Sequence, residues 1–334
     1  MIELEEKYKN ILNGCKFIDL FCGIGGFHLA LASFGAECVF ASDIDKEAKK
    51  VYKENFGMEP AGDITKIKPE QIPAHDIICA GFPCQPFSIS GDQKGFDDNL
   101  GRGKLFFNIV EIAKVHHPQF ILLENVKNFE KHDKGNTLKT VEGELRKVGY
   151  SVFSKVLCAA DYGVPQARQR IYIVAFRSDL AVTSFQFPDS LKDYKTLDSI
   201  LIEDKKNEVI GNYYINRNYT IKAKSVERKN ALIRIGQIGL GRQGERIYSI
   251  NGLSTTLSSQ GGGLGGKTGM YLINGRVRKL YPRECARLMG FPDNYKLASS
   301  QEKCYNQFGN SVVVDVLQYI TIKIIEKLQE DNHE

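Results

Sequence analysis

The 334-residue chain has no apolar run near the roughly 18 residues that a membrane-crossing helix needs. Its first ten residues, Met1 to Asn10, are charged and lack the apolar core of a secretory signal. Both absences count against a membrane or exported protein, and the expected location is the cytoplasm. The eight cysteines, at 15, 22, 38, 79, 84, 158, 285 and 304, form no Cys-x-x-Cys pair, and no histidine cluster joins them. A structural zinc site is therefore not expected, and no metal is called for. Several of these cysteines sit inside apolar runs as core residues, which suits a reducing compartment. Internal repeats and low-complexity tracts are also missing. What remains is ordinary for a soluble globular protein, with 25% charged and 42% apolar residues, long enough for two domains or one large α/β domain.

The net charge of +5 is unevenly spread. Between Gly211 and Arg283 there are 13 Lys/Arg against 2 Asp/Glu, and the rest of the chain carries 32 against 38. So concentrated a positive charge is the footprint of a phosphate-contacting surface, or else of a basic solvated face without a partner. The same region is rich in glycine, with 12 in the 40 residues from Gly236 to Gly275. It shows no packed-helix pattern and reads as loops and short strands. Interleaved Ile, Leu and Tyr argue against disorder.

At the N-terminal end, Lys16 to Leu20 reads as a strand, Phe21-Cys22-Gly23-Ile24-Gly25-Gly26 as a glycine-rich turn, and Phe27 to about Phe34 as a helix. Strand, glycine turn and helix open a nucleotide-type βαβ unit, in which the chain backbone and the free N–H groups of the helix approach a ligand. His28 occupies the place of the third glycine in G-x-G-x-x-G, which disfavours NAD. A second strand, Ala36 to Ala41, leads to Asp43, 20 positions beyond Gly23 and suited to accept hydrogen bonds from a ribose diol. A helix from Lys46 to Phe56 follows. Asp63, in the loop Gly62-Asp63-Ile64, can accept a bond from an adenine amino group.

The apolar run Asp76 to Ala80 reads as a buried strand and ends in Gly81-Phe82-Pro83-Cys84-Gln85-Pro86. A thiol on a proline-stiffened turn at a strand end is either a plain buried cysteine or a nucleophile. The polar, glycine-punctuated stretch from Phe87 to Arg102 reads as a lid. Beyond a helix from Lys104 to His117, Phe120 to Val126 is an apolar strand ending in Glu124. That carboxyl either salt-bridges or has its pKa raised by apolar surroundings. A helix from about Asn136 to Val148 precedes strands Tyr150 to Leu157 and Arg170 to Phe176. Between those strands, Arg168 and Arg170 alternate, so that both can face one site.

In combination these motifs resemble the DNA cytosine-5 methyltransferases. Phe82-Pro83-Cys84-Gln85, Glu124-Asn125-Val126 and the Gln-x-Arg-x-Arg run at Gln166 to Arg170 stand where that family has its catalytic motifs. The likeness runs through nearly the whole chain and is to the bacterial HhaI-type, GCGC-specific members in particular. It implies a doubly wound, Rossmann-like α/β sheet of the S-adenosylmethionine-dependent methyltransferases, with a small, glycine-rich, mostly β/loop target-recognition domain. The implied organisation is a discontinuous catalytic domain, 1–190 plus 300–334, a recognition domain, 191–280, and a connecting hinge, 281–299. In the chain itself, a Pro-started helix ends at Gly290, and a long amphipathic helix runs from Val312 to about Leu328.

The resemblance also implies roles. Cys84 adds to cytosine C6, Glu124 protonates N3, Arg168 holds the base carbonyl and orients the carboxylate, and Arg170 completes the catalytic set. S-adenosyl-L-methionine is held by Phe21, Gly23, Gly25, Gly26, Asp43, Ile44, Asp63, Ile64, Pro83, Leu105, Asn310 and Val312. Double-stranded DNA is met by Ser88, Ser90, Gln243, Glu245, Arg246 and Gly263. Arg246 and Glu245 are suited to guanine and cytosine edges, and Gln243 to the orphaned guanine. The implied partners are GCGC duplex DNA and, genetically, a restriction endonuclease. A monomer is implied, bacterial and associated with the nucleoid. Two positions depart from the pattern: Ile44 replaces an aromatic and Asp92 a lysine. The alternative with the same core is a tRNA cytosine-5 methyltransferase. A Cys-His hydrolase lacks a suitably placed histidine, and a catalytically silent DNA-binding protein would have no use for Cys84, Glu124 and Arg168 together.

Overall fold

The computed structural model describes residues 1–83, 104–203, 213–222 and 228–330. Cys84, Ser88, Ser90 and Asp92 lie outside the described residues.

A six-stranded sheet forms the larger layer, from β1 (Lys16–Leu20), β2 (Glu37–Ser42), β3 (Ile77–Ala80), β4 (Phe120–Val126), β5 (Tyr150–Cys158) and β6 (Gln169–Arg177). Its order is β2-β1-β3-β4-β6-β5. The first four strands are parallel, and β6 runs antiparallel to both β4 and β5. The strands β1, β3 and β4 are buried almost throughout, as the continuous apolar runs of a sheet covered on both faces require. Helices α1 (Gly26–Ala32), α2 (Lys46–Phe56), α3 (Lys104–His116) and α4 (Asn136–Lys147) connect them. The chain leaves β1 for β2 on one side and returns to β3 on the other. That reversal opens a crevice beyond the carboxyl ends of β1 and β3, where ligands of such sheets bind.

The basic, glycine-rich region folds as a second sheet. Its strands are β7 (Tyr219–Ile221), β8 (Arg234–Ile238), β9 (Arg246–Ser249), β10 (Met270–Ile273) and β11 (Arg276–Arg278), in the order β11-β10-β9-β8-β7. The packing is not severed where the sequence changes character. Leu197, Tyr248, Leu257, Tyr271 and Leu280 belong to the same apolar core as Phe17 and Phe176 of the larger sheet. A smaller core of Ile235, Ile238, Ile247, Met270 and Val277 belongs to the second sheet alone.

The C-terminal region differs from the sequence expectation in one respect. The expected helix from Val312 is there as α7 (Val314–Glu330), but a further helix that the sequence reading did not mark, α6 (Gln301–Asn310), precedes it, after α5 (Pro282–Leu288). Ser311 is extended, with φ −78° and ψ 166°. The carbonyls of Gly309 and Ser311 are turned out of the helical ladder and accept hydrogen bonds from Arg168. A distant side chain sets that break, so no local pattern announces it. The apolar face of α7 then packs against α1.

A fully buried ion pair fastens the second sheet to α5. Arg278 of β11 donates through Nη1 and Nη2 to the two carboxylate oxygens of Glu284, at 2.7 and 2.8 Å. Glu284 also accepts the Tyr281 N–H at 2.7 Å and the Ile202 N–H at 3.0 Å. Removing one partner strands a buried charge. Arg278→Met is therefore expected to lower the unfolding free energy by about 3–5 kcal/mol in urea titration, with part regained when Glu284→Leu is added.

Candidate functional site

The site is built from backbone first. The chain leaves β1 through Phe21 and Gly23, both in the left-handed region, at φ 55° and 52°. Gly25, at φ 80°, then starts α1. A Cβ at Gly26 would stand 2.5 Å from Val312 Cγ2, so only glycine lets the turn meet the segment between α6 and α7. Gly23 donates its N–H to Asp43 Oδ2 at 2.8 Å, and Asp45 donates to Asp43 Oδ1 at 2.8 Å. Asp43 thus locks the turns after β1 and β2 together. Each of its oxygens keeps a further lone pair for a ligand. Burial raises its pKa above the ordinary carboxylate value, against the lowering effect of these N–H donors.

These turns form one wall of a cavity of about 670 Å³. Of the twelve residues expected to hold a cofactor, eleven line it: Phe21, Gly23, Gly26, Asp43, Ile44, Asp63, Ile64, Pro83, Leu105, Asn310 and Val312. Gly25 stands behind them, shaping the turn. Asp63 Oδ1 accepts from the Thr65 N–H and hydroxyl at 3.0 and 2.7 Å. Ile44 is 77% exposed at the rim.

Glu124, Arg168 and Arg170 line the same cavity. In the β4–β6 ladder Val126 pairs with Arg170. Glu124, two residues back on the same face, is therefore its diagonal neighbour. Arg170 Nε lies 3.0 Å from Glu124 Oε1. The other carboxylate oxygen, Oε2, lies 3.9 Å from where a Gly81 Cβ would be, so the acid sits against the turn that leads to Cys84. Burial raises the Glu124 pKa, and the two arginines pull it back only in part.

Arg168 is engaged chiefly by backbone. It is 2% exposed, and its guanidinium donates to the carbonyls of Leu257 at 3.1 Å, Gly309 at 3.2 Å and Ser311 at 2.5 Å. The guanidinium that contacts the carboxylate belongs to Arg170. Alternation along a strand puts both arginines near one site, but it does not say which of them the surrounding carbonyls claim.

Two further side chains carried no sequence signal beyond a place in a motif. Asn125 Nδ2 donates to the Phe82 carbonyl at 2.9 Å, anchoring the segment before Cys84. Gln166 donates to the Leu288 carbonyl at 3.0 Å and accepts the Leu257 N–H at 3.1 Å, tying three regions together.

The expected base-reading residues lie on two turns set back to back. Gln243–Glu245 forms a short 3-10 turn, and Glu245 Oε2 accepts the Arg242 N–H at 2.9 Å. Glu245 thus braces its own turn as well as offering an acceptor. Gly265 donates to the Gly244 carbonyl at 2.8 Å, and a Cβ at Gly244 would stand 2.2 Å from the Gly262 carbonyl oxygen. Gly263, at φ 78°, touches Gly244 in the same contact. Arg246 Nε donates to the Gly241 carbonyl at 3.4 Å, while Arg242 and Gln243 are exposed. Ser258 and Ser259 run from these turns directly onto Gly309 at the cavity wall.

The family model for C-5 cytosine-specific DNA methylases matches residues 15–326. The chain is 50% identical over 325 residues to the type II methyltransferase M.HhaI of Haemophilus parahaemolyticus, covering 97% of both chains. It is 40% identical over 347 residues to the type II methyltransferase M.HpaII of Haemophilus parainfluenzae, across 97% of this chain and 92% of the relative. Among solved structures, the S. pombe Dnmt2 methyltransferase shares the fold, with a TM-score of 0.68 at 24% identity over 93% of this chain and 98% of that one.

The raised pKa of Glu124 has a consequence for stability. An acid that holds its proton more tightly when folded contributes stability that is complete below its unfolded pKa and is lost as pH rises through the folded value. The stability of the wild-type chain relative to Glu124→Gln should therefore fall as pH rises from about 4.5. Urea midpoints of the two proteins across pH 4.5 to 8 measure this. A difference that is flat with pH, or that grows, would contradict the raised pKa.

Proposed function

The chain belongs to the family of C-5 cytosine-specific DNA methylases, and from that premise we propose how its residues methylate cytosine C5 in DNA. The observation that carries the proposal is the buried, pKa-raised Glu124, paired to Arg170 and set against the Gly81–Pro83 turn, in one cavity with the glycine turn.

The residues of that cavity fit S-adenosyl-L-methionine. Asp43 and Asp63 offer acceptors for a ribose diol and an adenine amino group. Phe21, Ile44 and Ile64 offer apolar faces for the base, and the glycine turn gives the remainder close access to the backbone. When bound, this group supplies an electrophilic methyl.

The chain's own residues then act on cytosine. The Cys84 thiolate adds to C6, forming an S–C bond and moving ring electrons toward N3 and C5. The Glu124 carboxyl gives its proton to N3, which keeps charge off the ring. A raised pKa suits that task, since the acid must still carry its proton near neutral pH. Arg170 orients the carboxyl and is placed to reach the base carbonyl. Arg168, held by three carbonyls, supports the cavity wall. After C5 is methylated its proton passes to water, the C5–H electron pair re-forms the C5=C6 bond as the S–C6 bond breaks to restore the Cys84 thiolate, and N3 returns its proton to Glu124.

A base inside a duplex cannot reach such a cavity, so the cytosine must be flipped out. Ser88, Ser90 and the stretch around them are proposed to close over it. Base reading is assigned to Gln243, Glu245, Arg246 and Gly263, with GCGC as the target. The proposed organisation is a catalytic domain of 1–190 plus 300–334, a recognition domain of 191–280 and a hinge of 281–299. The relatives' designation as type II methyltransferases supports a modification enzyme paired with a restriction endonuclease. We propose that it acts as a monomer on chromosomal DNA in the bacterial cytoplasm.

Labelled S-adenosylmethionine offered with tRNA and with duplexes containing GCGC, GGCC or CG alone tests the whole reading. Label is expected in GCGC only, and none with Cys84→Ala. Label in another duplex discards the base-reading assignment, and label in tRNA alone moves the substrate to RNA. Separately, Gly244→Ala forces the two reading turns apart. It is expected to weaken duplex binding by about tenfold or more in a gel-shift titration at fixed salt, while the affinity for S-adenosylhomocysteine stays within twofold.

A further inference from the structure

The hairpin joining β8 to β9 carries a guanidinium that the protein does not use. The arginines on either side of it are engaged: Arg234 Nη2 donates to Gln237 Oε1 at 2.5 Å, and Arg246 Nε donates to the Gly241 carbonyl at 3.4 Å. Arg242, between them, is exposed, and its guanidinium makes no hydrogen bond or ion pair among the described residues. Its backbone, by contrast, is fixed. The Arg242 N–H donates to Glu245 Oε2 at 2.9 Å, and the Glu245 N–H donates back to the Arg242 carbonyl at 2.8 Å. Gly241 before it is held at φ 71°, where a Cβ would stand 2.5 Å from Arg234 Nη2 and 2.6 Å from Gln237 Oε1. Gly244 after it is wedged against the Gly262 carbonyl. A rigid turn thus presents a free cationic fork immediately before Gln243.

Two kinds of DNA group accept from such a fork: phosphate oxygens, and O6 and N7 of guanine in the major groove. The neighbouring side chain decides between them. Leu240, two residues before Arg242, is 81% exposed and sits between Gly239, at φ 51°, and Gly241. An apolar side chain gains nothing against a phosphate, but it does against the carbon atoms of base edges inside a groove. The tip that bears both side chains is therefore suited to a groove rather than to the strand backbone. Gln243, Glu245, Arg246 and Gly263 are already assigned to the four base pairs of the site, which leaves the Arg242 fork for a pair beside them. No pair of a four-pair site lies more than two steps, roughly 7 Å, from a flanking pair. One Cα step of about 3.8 Å and an arginine side chain cover that distance. We infer that Arg242 reads a guanine in the base pair flanking GCGC, so that the effective target of this chain is longer than four pairs. The inference rests on the assignment of the turns at Gln243–Glu245 and Gly261–Gly266 to base reading.

Gel-shift titration of the full chain with S-adenosylhomocysteine present, using four self-complementary duplexes with the cores GGCGCC, CGCGCG, AGCGCT and TGCGCA and a GGCC control, tests it. One of the two duplexes with a G·C flank, GGCGCC or CGCGCG according to which strand the fork meets, is expected to bind about tenfold more tightly than the two with A·T flanks. Replacing the flanking guanine by 7-deazaguanine, which lacks N7, should remove most of that preference. Arg242→Ala should bind all four GCGC duplexes within about twofold of one another and still prefer them to the GGCC control. Wild-type affinities for the four that agree within about twofold, or a preference for an A·T flank, overturn the inference while leaving the base-reading assignment intact. The same holds if Arg242→Ala weakens every duplex alike and reduces the slope of log affinity against log salt by about 0.9, the mark of a lost phosphate contact. A wild-type chain that does not distinguish GCGC from GGCC overturns that assignment and the inference with it.

Discussion

One buried guanidinium holds this molecule together at its working end. Arg168 reaches the carbonyls of Leu257, Gly309 and Ser311, and so joins the start of β6 to the segment entering the Gly261–Gly266 turn and to the break between α6 and α7. Burial pulls its pKa down to about 9, yet it remains a cation at neutral pH. A charge so deeply desolvated is tolerated only where fixed dipoles replace water. Three carbonyls and the nearby Glu124 supply that replacement. In return, the backbone they belong to must take the conformation that presents them, which is why α6 stops where it does.

The cavity inherits its shape from this junction. With Ser311 extended, Val312 is delivered onto Gly26, and the glycine turn has a wall to pack against. Asp43 performs the matching task on the opposite side by accepting from both adjoining turns. Asn125 does so at the Phe82 carbonyl. Each of these polar groups satisfies backbone first and leaves its remaining valence to the cavity. Glu124 is the exception. Its closest ion-pair contact among the described residues is Arg170 Nε, Arg168 also acts on it, and burial outweighs both in raising its pKa.

The turns at Gln243–Glu245 and Gly261–Gly266 depend on the same economy of side chains. Gly244, Gly262, Gly263 and Gly265 approach backbone to backbone, so two loops distant in sequence act as one surface. The exposed Arg242 and Gln243 project from that surface, and the ion pair of Arg278 with Glu284 keeps the sheet beneath it fixed to α5.

Much of this was legible in the chain. Apolar runs ending in glycine, carboxylate or cysteine mark the strands and their functional ends, because burial on both faces leaves polar residues a place only at the termini. The clustering of glycine and positive charge marks the second sheet for the same local reason. The division of labour between Arg168 and Arg170 was not legible, since strand alternation puts both near the site and only the carbonyls of Leu257, Gly309 and Ser311 decide between them. The break at Ser311 and the anchoring amides of Asn125 and Gln166 were equally silent. Sequence by itself determined most of the elements and the family, because these follow from residue type and local spacing. Tertiary structure alone decided which polar atoms are satisfied by the protein and which are left for a ligand, because that depends on partners contributed by segments far apart along the chain.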